Sequence, residues 1–160
     1  MANQNASNTG DIQTASRHAL KLLGTGNTDL ALEQANEVLR QFPNEINCQF
    51  VVAAVQRAKG EPALAVNGLE AITARAPDFA IAQQELGFAY ADIGAATQAI
   101  SALQQAVKLE GRLSGSWQLL GELHLSEGHE EAAASAQPYF TQASTISLLV
   151  LMVLMVVLNF

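Results

Sequence analysis

Residues 86–106, LGFAYADIGAATQAISALQQA, decide the fold. Leu86, Gly87 and Tyr90 lie one turn apart, Gly94 interrupts, and Ala99, Leu103 and Ala106 then recur at helical spacing. Gly ends a helix by taking a left-handed backbone conformation without a Cβ penalty, so the stretch reads as helix, turn, helix. Outward from it the same signals return: Gly26, Gly60, Gly94 and Gly128 are each 34 residues apart, and so are Ala31, Ala65, Ala99 and Ala133. A third column, Ala19, Ala53, Gly87 and Gly121, is small throughout, and Pro43, Pro77 and Gly111 stop helices in phase with it. The chain is therefore internally repetitive, and each period is an antiparallel helix pair. The expected pairs are Gln13–Gly24 with Asp29–Gln41, Ile46–Lys59 with Pro62–Arg75, Phe79–Ile93 with Thr97–Glu110, and Ser114–Ser126 with Glu130 to about Gln142.

These residues place the chain in an all-α class, a solenoid of about four helix pairs, and they resemble the tetratricopeptide repeat family. The third unit (Leu86-Gly87, Tyr90, Gly94, Ala99, Leu103, Ala106) and the fourth (Trp117, Leu120-Gly121, His124, Gly128, Ala133) follow its W-x₂-L-G-x₂-Y…A-x₃-F…P pattern. In the first two units His18 and Val52 stand where Leu is expected, and Gln56 where Tyr is; in the fourth, Gln137 and Pro138 break the second helix. The resemblance implies a right-handed superhelix whose inner wall, built from the first helix of every pair, binds a partner peptide or protein. Carried over by position, the inner wall comprises Ser16, Leu20 and Leu23; Phe50, Ala54 and Arg57; Gln84, Phe88 and Ala91; and Gln118, Glu122 and Leu125. The family's Lys/Asn/Arg clamp for carboxyl termini is not expected, because Ser16, Leu20, Ala54, Ile81 and Glu85 stand in those places. Leu20, Phe50 and Phe88 are expected as apolar anchors, with Arg57, Gln84, Gln118 and Glu122 supplying polar contacts. Aromatics at helical spacing serve either a core or a groove, and the phase of the repeat points Phe50 and Phe88 inward.

Composition narrows the function. The 160 residues carry 8 basic and 15 acidic side chains, a formal net charge of −7, which argues against a phosphate-tracking surface and hence against nucleic acid. The lone Cys48 excludes a disulfide framework and a multi-cysteine zinc site, and reads as a buried spectator. His18, His124 and His129 are too scattered for a metal cluster, and Trp117 and His124 occupy packing positions of the repeat. Glu130 and Glu131 suit a helix N-terminus electrostatically and need no metal. No phosphate loop, paired catalytic acids or nucleophile elbow occurs, so no enzyme and no cofactor are expected within this chain.

Three segments follow: a disordered arm over 1–10, the array over 11–143 and an apolar tail over 144–160. Leu148–Leu158 is uninterrupted by any polar residue, which suits a membrane contact or self-association better than a capping helix. From Ile146 it is nevertheless shorter than the ~20 residues of a spanning helix. The leading expectation is a cytoplasmic interaction module. Two alternatives stay open: a membrane-anchored adaptor, and the amino-terminal part of a larger enzyme, since the Ala76–Ala80 stop and the Trp117–Glu122 segment resemble repeat arrays preceding bacterial sulfotransferase domains.

Overall fold

The computed structural model describes residues 2–126 and 128, with side chains from residue 10 onward. Seven helices follow one another: α1 (Ala2–Gly24), α2 (Thr28–Gln41), α3 (Ile46–Ala58), α4 (Pro62–Arg75), α5 (Ala80–Asp92), α6 (Ala96–Leu109) and α7 (Ser114–Ser126). Among the described residues there is no strand. The bounds of α4 and α7 coincide with the expected ones, α2 and α3 differ by one residue at one end, and α5 and α6 by one residue at each end. The first helix is the exception. It begins at Ala2 rather than Gln13, so the arm expected to be disordered is helical from residue 2. No proline interrupts residues 2–24, and a mid-helix glycine such as Gly10 weakens a helix by only about 1 kcal/mol without stopping it. The partner helix expected over Glu130–Gln142, Pro138 and the tail over 144–160 lie outside the described residues.

Two kinds of turn alternate. Within a pair, Gly26, Gly60 and Gly94 adopt φ of 79°, 82° and 77°, and the residue after each glycine bonds back five residues: Asn27 to Leu22 (2.9 Å), Glu61 to Gln56 (2.9 Å), Ala95 to Tyr90 (2.8 Å). That bond caps carbonyls the helix leaves without partners, and only a residue free of a Cβ enters the left-handed region cheaply. Between pairs, Phe42, Ala76 and Glu110 donate to the carbonyls of Val38, Ile72 and Ala106, and Glu45, Phe79 and Leu113 then bond back three residues. The sequence period is thus a period of backbone hydrogen bonds.

The small columns set how closely the helices of a pair approach. Ala31, Ala65 and Ala99 are fully buried, each near the start of a second helix. At Gly87 a Cβ would lie 2.5 Å from Leu103 Cγ and 3.3 Å from the Ala99 carbonyl oxygen, so α5 and α6 touch with no space for a side chain. Two apolar clusters result. One gathers Ala19, Ala31, Ala35, Val38, Cys48, Val51 and Val55 between α1, α2 and α3; the other centres on Phe50, Leu69, Ile72 and Leu86 across α3, α4 and α5.

Each first helix also touches the first helix of the next pair: α1 meets α3, α3 meets α5 and α5 meets α7. The second helices do not meet one another among the described residues, α2 and α4 standing apart, as do α4 and α6. Elements that close up on one side and splay on the other form a curved stack, with α1, α3, α5 and α7 on its inner side. No helix among the described residues is long and apolar enough to cross a membrane.

Candidate partner-binding face on the inner helices

The same inner seam is built three times with different chemistry. Cys48 Sγ on α3 donates to Ser16 Oγ on α1 at 3.6 Å, and Ser116 Oγ on α7 donates to Gln84 Oε1 on α5 at 2.9 Å; both pairs are 32 residues apart. The register-equivalent pair between α3 and α5 is Phe50 with Ala82, both buried. The Phe50 ring packs 5.3 Å from that of Phe79, the residue preceding α5. Phe50 is only 4% exposed. The expected groove anchor is therefore a core residue, because the turn into α5 places an aromatic over it. Ala54 is buried with it, and Leu20 and Leu23 are half-buried against both apolar clusters.

The remaining expected contacts gather further along. Arg57, near the end of α3, donates from Nε to Glu85 Oε2 at 2.8 Å and from Nη1 to Asp92 Oδ2 at 3.2 Å, both carboxylates belonging to α5. Its guanidinium lies 5.4 Å from the centroid of the Phe88 ring. Partial burial pulls the Arg57 pKa down, but the charges and hydrogen bonds of Glu85 and Asp92 outweigh it and hold the pKa above the ordinary arginine value. On its other side Phe88 approaches α7, where a Cβ at Gly115 would lie 3.3 Å from Phe88 Cζ. Half-exposed Phe88 thus bridges three inner helices.

Ile81, Glu85, Phe88 and Asp92 follow one another at spacings of 4, 3 and 4 along α5, a single helical stripe. Ile81 is 48% exposed. On α7, Gly115, Gln118, Glu122 and Leu125 form a stripe at spacings of 3, 4 and 3 that is exposed throughout, with Gln118 Nε2 donating to Glu122 Oε1 at 3.0 Å. Of the residues the sequence assigns to this wall, Arg57 lies on α3, Gln84 and Phe88 on α5, and Gln118 and Glu122 on α7, while Phe50 is buried and Leu20 half-buried. Sequence reasoning passed over Asp92, whose signal was its place one turn beyond Phe88, and treated Ile81 and Glu85 only as departures from a clamp.

Other singled-out residues are structural. Cys48 is fully buried, and burial, the largest cause, pushes its thiol up to about 11, the opposite of an activated thiolate. Trp117 is half-buried and its Nε1 donates to the Gly111 carbonyl at 3.0 Å, pinning the start of α7 to the turn before it. Among the described residues no group of three or more His, Cys, Asp or Glu side chains could hold a metal ion.

Solved structures share this arrangement. MamA (residues 41 to the end) from Desulfovibrio magneticus RS-1 superposes with a TM-score of 0.68 at 26% identity, over 85% of this chain and 78% of that one. A double mutant of MamA RS-1 gives 0.68 at 26% identity, over 82% and 74%. TTC0263, a thermophilic TPR protein of Thermus thermophilus, gives 0.68 at 20% identity, over 83% and 74%. The fold is that of a tetratricopeptide-repeat array. No protein-family model matches the sequence, and no curated protein matches it. None of the three similar structures named above is described as a sulfotransferase.

Proposed function

We propose that the chain is a protein-interaction scaffold that holds a partner peptide or protein against its inner face, with no chemistry of its own. The observation that supports this most is the paired stripe on α5 and α7. Ile81, Phe88 and Leu125 present apolar surface at helical spacing, and Gln118, Asp92 and Glu122 offer exposed polar groups beside it. Exposed and half-exposed apolar side chains on adjacent inner helices, bordered by polar groups, are a docking pattern.

Phe50 has no part in the face, so the informative variant is Phe88→Ala alone. Peptides selected from a random display library on the full chain are expected to lose about tenfold or more in affinity with Phe88→Ala or Leu125→Ala. They are expected to keep it with Leu64→Ser, which alters an exposed leucine on α4. Selected peptides that ignore Phe88→Ala and depend on Leu64 would move the site to the outer side and overturn the reading.

A further inference from the structure

The inner face has a sign as well as a shape. Along the α5 and α7 stripes stand three carboxylates, Glu85, Asp92 and Glu122, against the single guanidinium that α3 contributes, Arg57. That guanidinium is already engaged by Glu85 and Asp92 and lies over Phe88. Arg57 therefore has no full charge to offer an anionic ligand, whose carboxylate would have to compete with two resident ones. Exposed Asp92 and Glu122 keep free acceptor capacity, and Glu122, among the described residues, meets Gln118 and no cation. The whole chain, at −7, adds to the same potential. Arg57 itself displays the chemistry the face favours: a cation held between carboxylates above an aromatic ring.

Resting on the inner-face reading above, we propose that the partner is a cationic amphipathic helix of another protein, its apolar stripe seated on Ile81, Phe88 and Leu125 and its Lys or Arg side chains flanking that stripe to meet Asp92 and Glu122. A helix with an apolar stripe bordered by cations is the complement of an apolar strip bordered by carboxylates. An acidic helix, or a segment recognised by its terminal carboxylate, meets repulsion on the same surface.

The test uses the full chain and two synthetic helices of about 18 residues with the same leucine stripe, one bordered by lysines and the other by glutamates. Binding is read by fluorescence anisotropy at about 0.05 M and about 0.5 M salt. The lysine helix is expected to bind about tenfold or more tighter than the glutamate helix at low salt, and to weaken steeply at high salt. Glu122→Gln combined with Asp92→Asn is expected to remove most of that preference, and Phe88→Ala to weaken the lysine helix, with circular dichroism and melting showing the variants folded. Equal binding of both helices with loss on Phe88→Ala overturns the charge selection and leaves the inner face as the site. Lysine-helix binding that ignores Phe88 and Glu122 and is lost with Leu64→Ser overturns both. Binding of neither helix overturns the cationic partner, with the library selection deciding the face separately. Self-association by light scattering that Glu122→Gln abolishes, without helix binding, makes the occupant a second copy and overturns it also.

Discussion

Helices α3 and α7 hold the same place in the repeat and present it in opposite ways. Position for position, Phe50 and Ala54 on α3 correspond to Gln118 and Glu122 on α7; the first two are buried and the last two exposed. Periodicity assigns a side chain to a face of the stack, but its burial depends on what the neighbouring unit puts opposite. Phe79 closes over Phe50, whereas on α7 the polar pair lies open and bonds within its own helix. The α3 stripe is expected to act on stability and the α7 stripe on binding, a contrast that mutations can break or sharpen.

The largest expected effect is at Phe50. Phe50→Ala should cost about 3–5 kcal/mol of stability through lost burial and the cavity left behind, read by denaturant titration. A cost below about 1 kcal/mol would break the contrast by making α3 resemble α7. Next is Gly87→Ala on the helix between them: its Cβ must displace Leu103, so a loss of about 1–3 kcal/mol is expected by the same titration.

Alkali probes the buried side of α3 by another route. The Cys48 thiol is raised from 9.0 to about 11, mainly by burial, and the Tyr90 hydroxyl from 10.0 to about 12, mainly by its hydrogen bond to Glu70. Both folded values exceed the unfolded ones, so the stabilisation is complete below pH 9.0 and is lost as pH rises through the folded values. Melting temperature should therefore fall from pH 9 upward, and Cys48→Ala should flatten the first part of that fall. Native Cys48 should also resist alkylation until the chain unfolds.

Smaller effects sharpen the contrast at its other end. Arg57→Ala should cost about 1 kcal/mol, since the ion pairs it loses are partly screened by solvent. Glu122→Gln should change stability by less than about 0.5 kcal/mol while shifting the affinity of a cationic helix. A large stability loss there would show that α7, too, is core.

Most of the architecture was legible because the residues that build it act locally. A glycine that must adopt positive φ, or a small residue where two backbones meet, is constrained by its own turn or pair, and so recurs every 34 residues. The phase of the repeat likewise puts Arg57, Gln84, Phe88, Gln118 and Glu122 on first helices, where the structure has them. Phe50 was misread because its environment depends on Phe79, a residue of the next unit reached only through tertiary packing. Asp92 was missed because its link to Arg57 runs between units at a separation of 35 residues, one more than the period. The helical start of α1 was missed because polar composition indicates solvation more directly than it indicates backbone conformation.

The separation of α2, α4 and α6 gives the molecule a mechanical asymmetry. Stretching or bending the stack along its outer edge breaks no contact among those helices, because they make none with each other. One unit is held to the next where a second helix packs on the following first helix, α2 on α3, α4 on α5 and α6 on α7, and by side-chain bonds along the inner seam such as Ser116 to Gln84 and Arg57 to Glu85. Splaying the outer edge therefore strains the packing of each second helix on the following first helix rather than a contact between outer helices. The apolar clusters run through α1, α2 and α3 and through α3, α4 and α5, so a change of pitch is felt in cores that neighbouring pairs share.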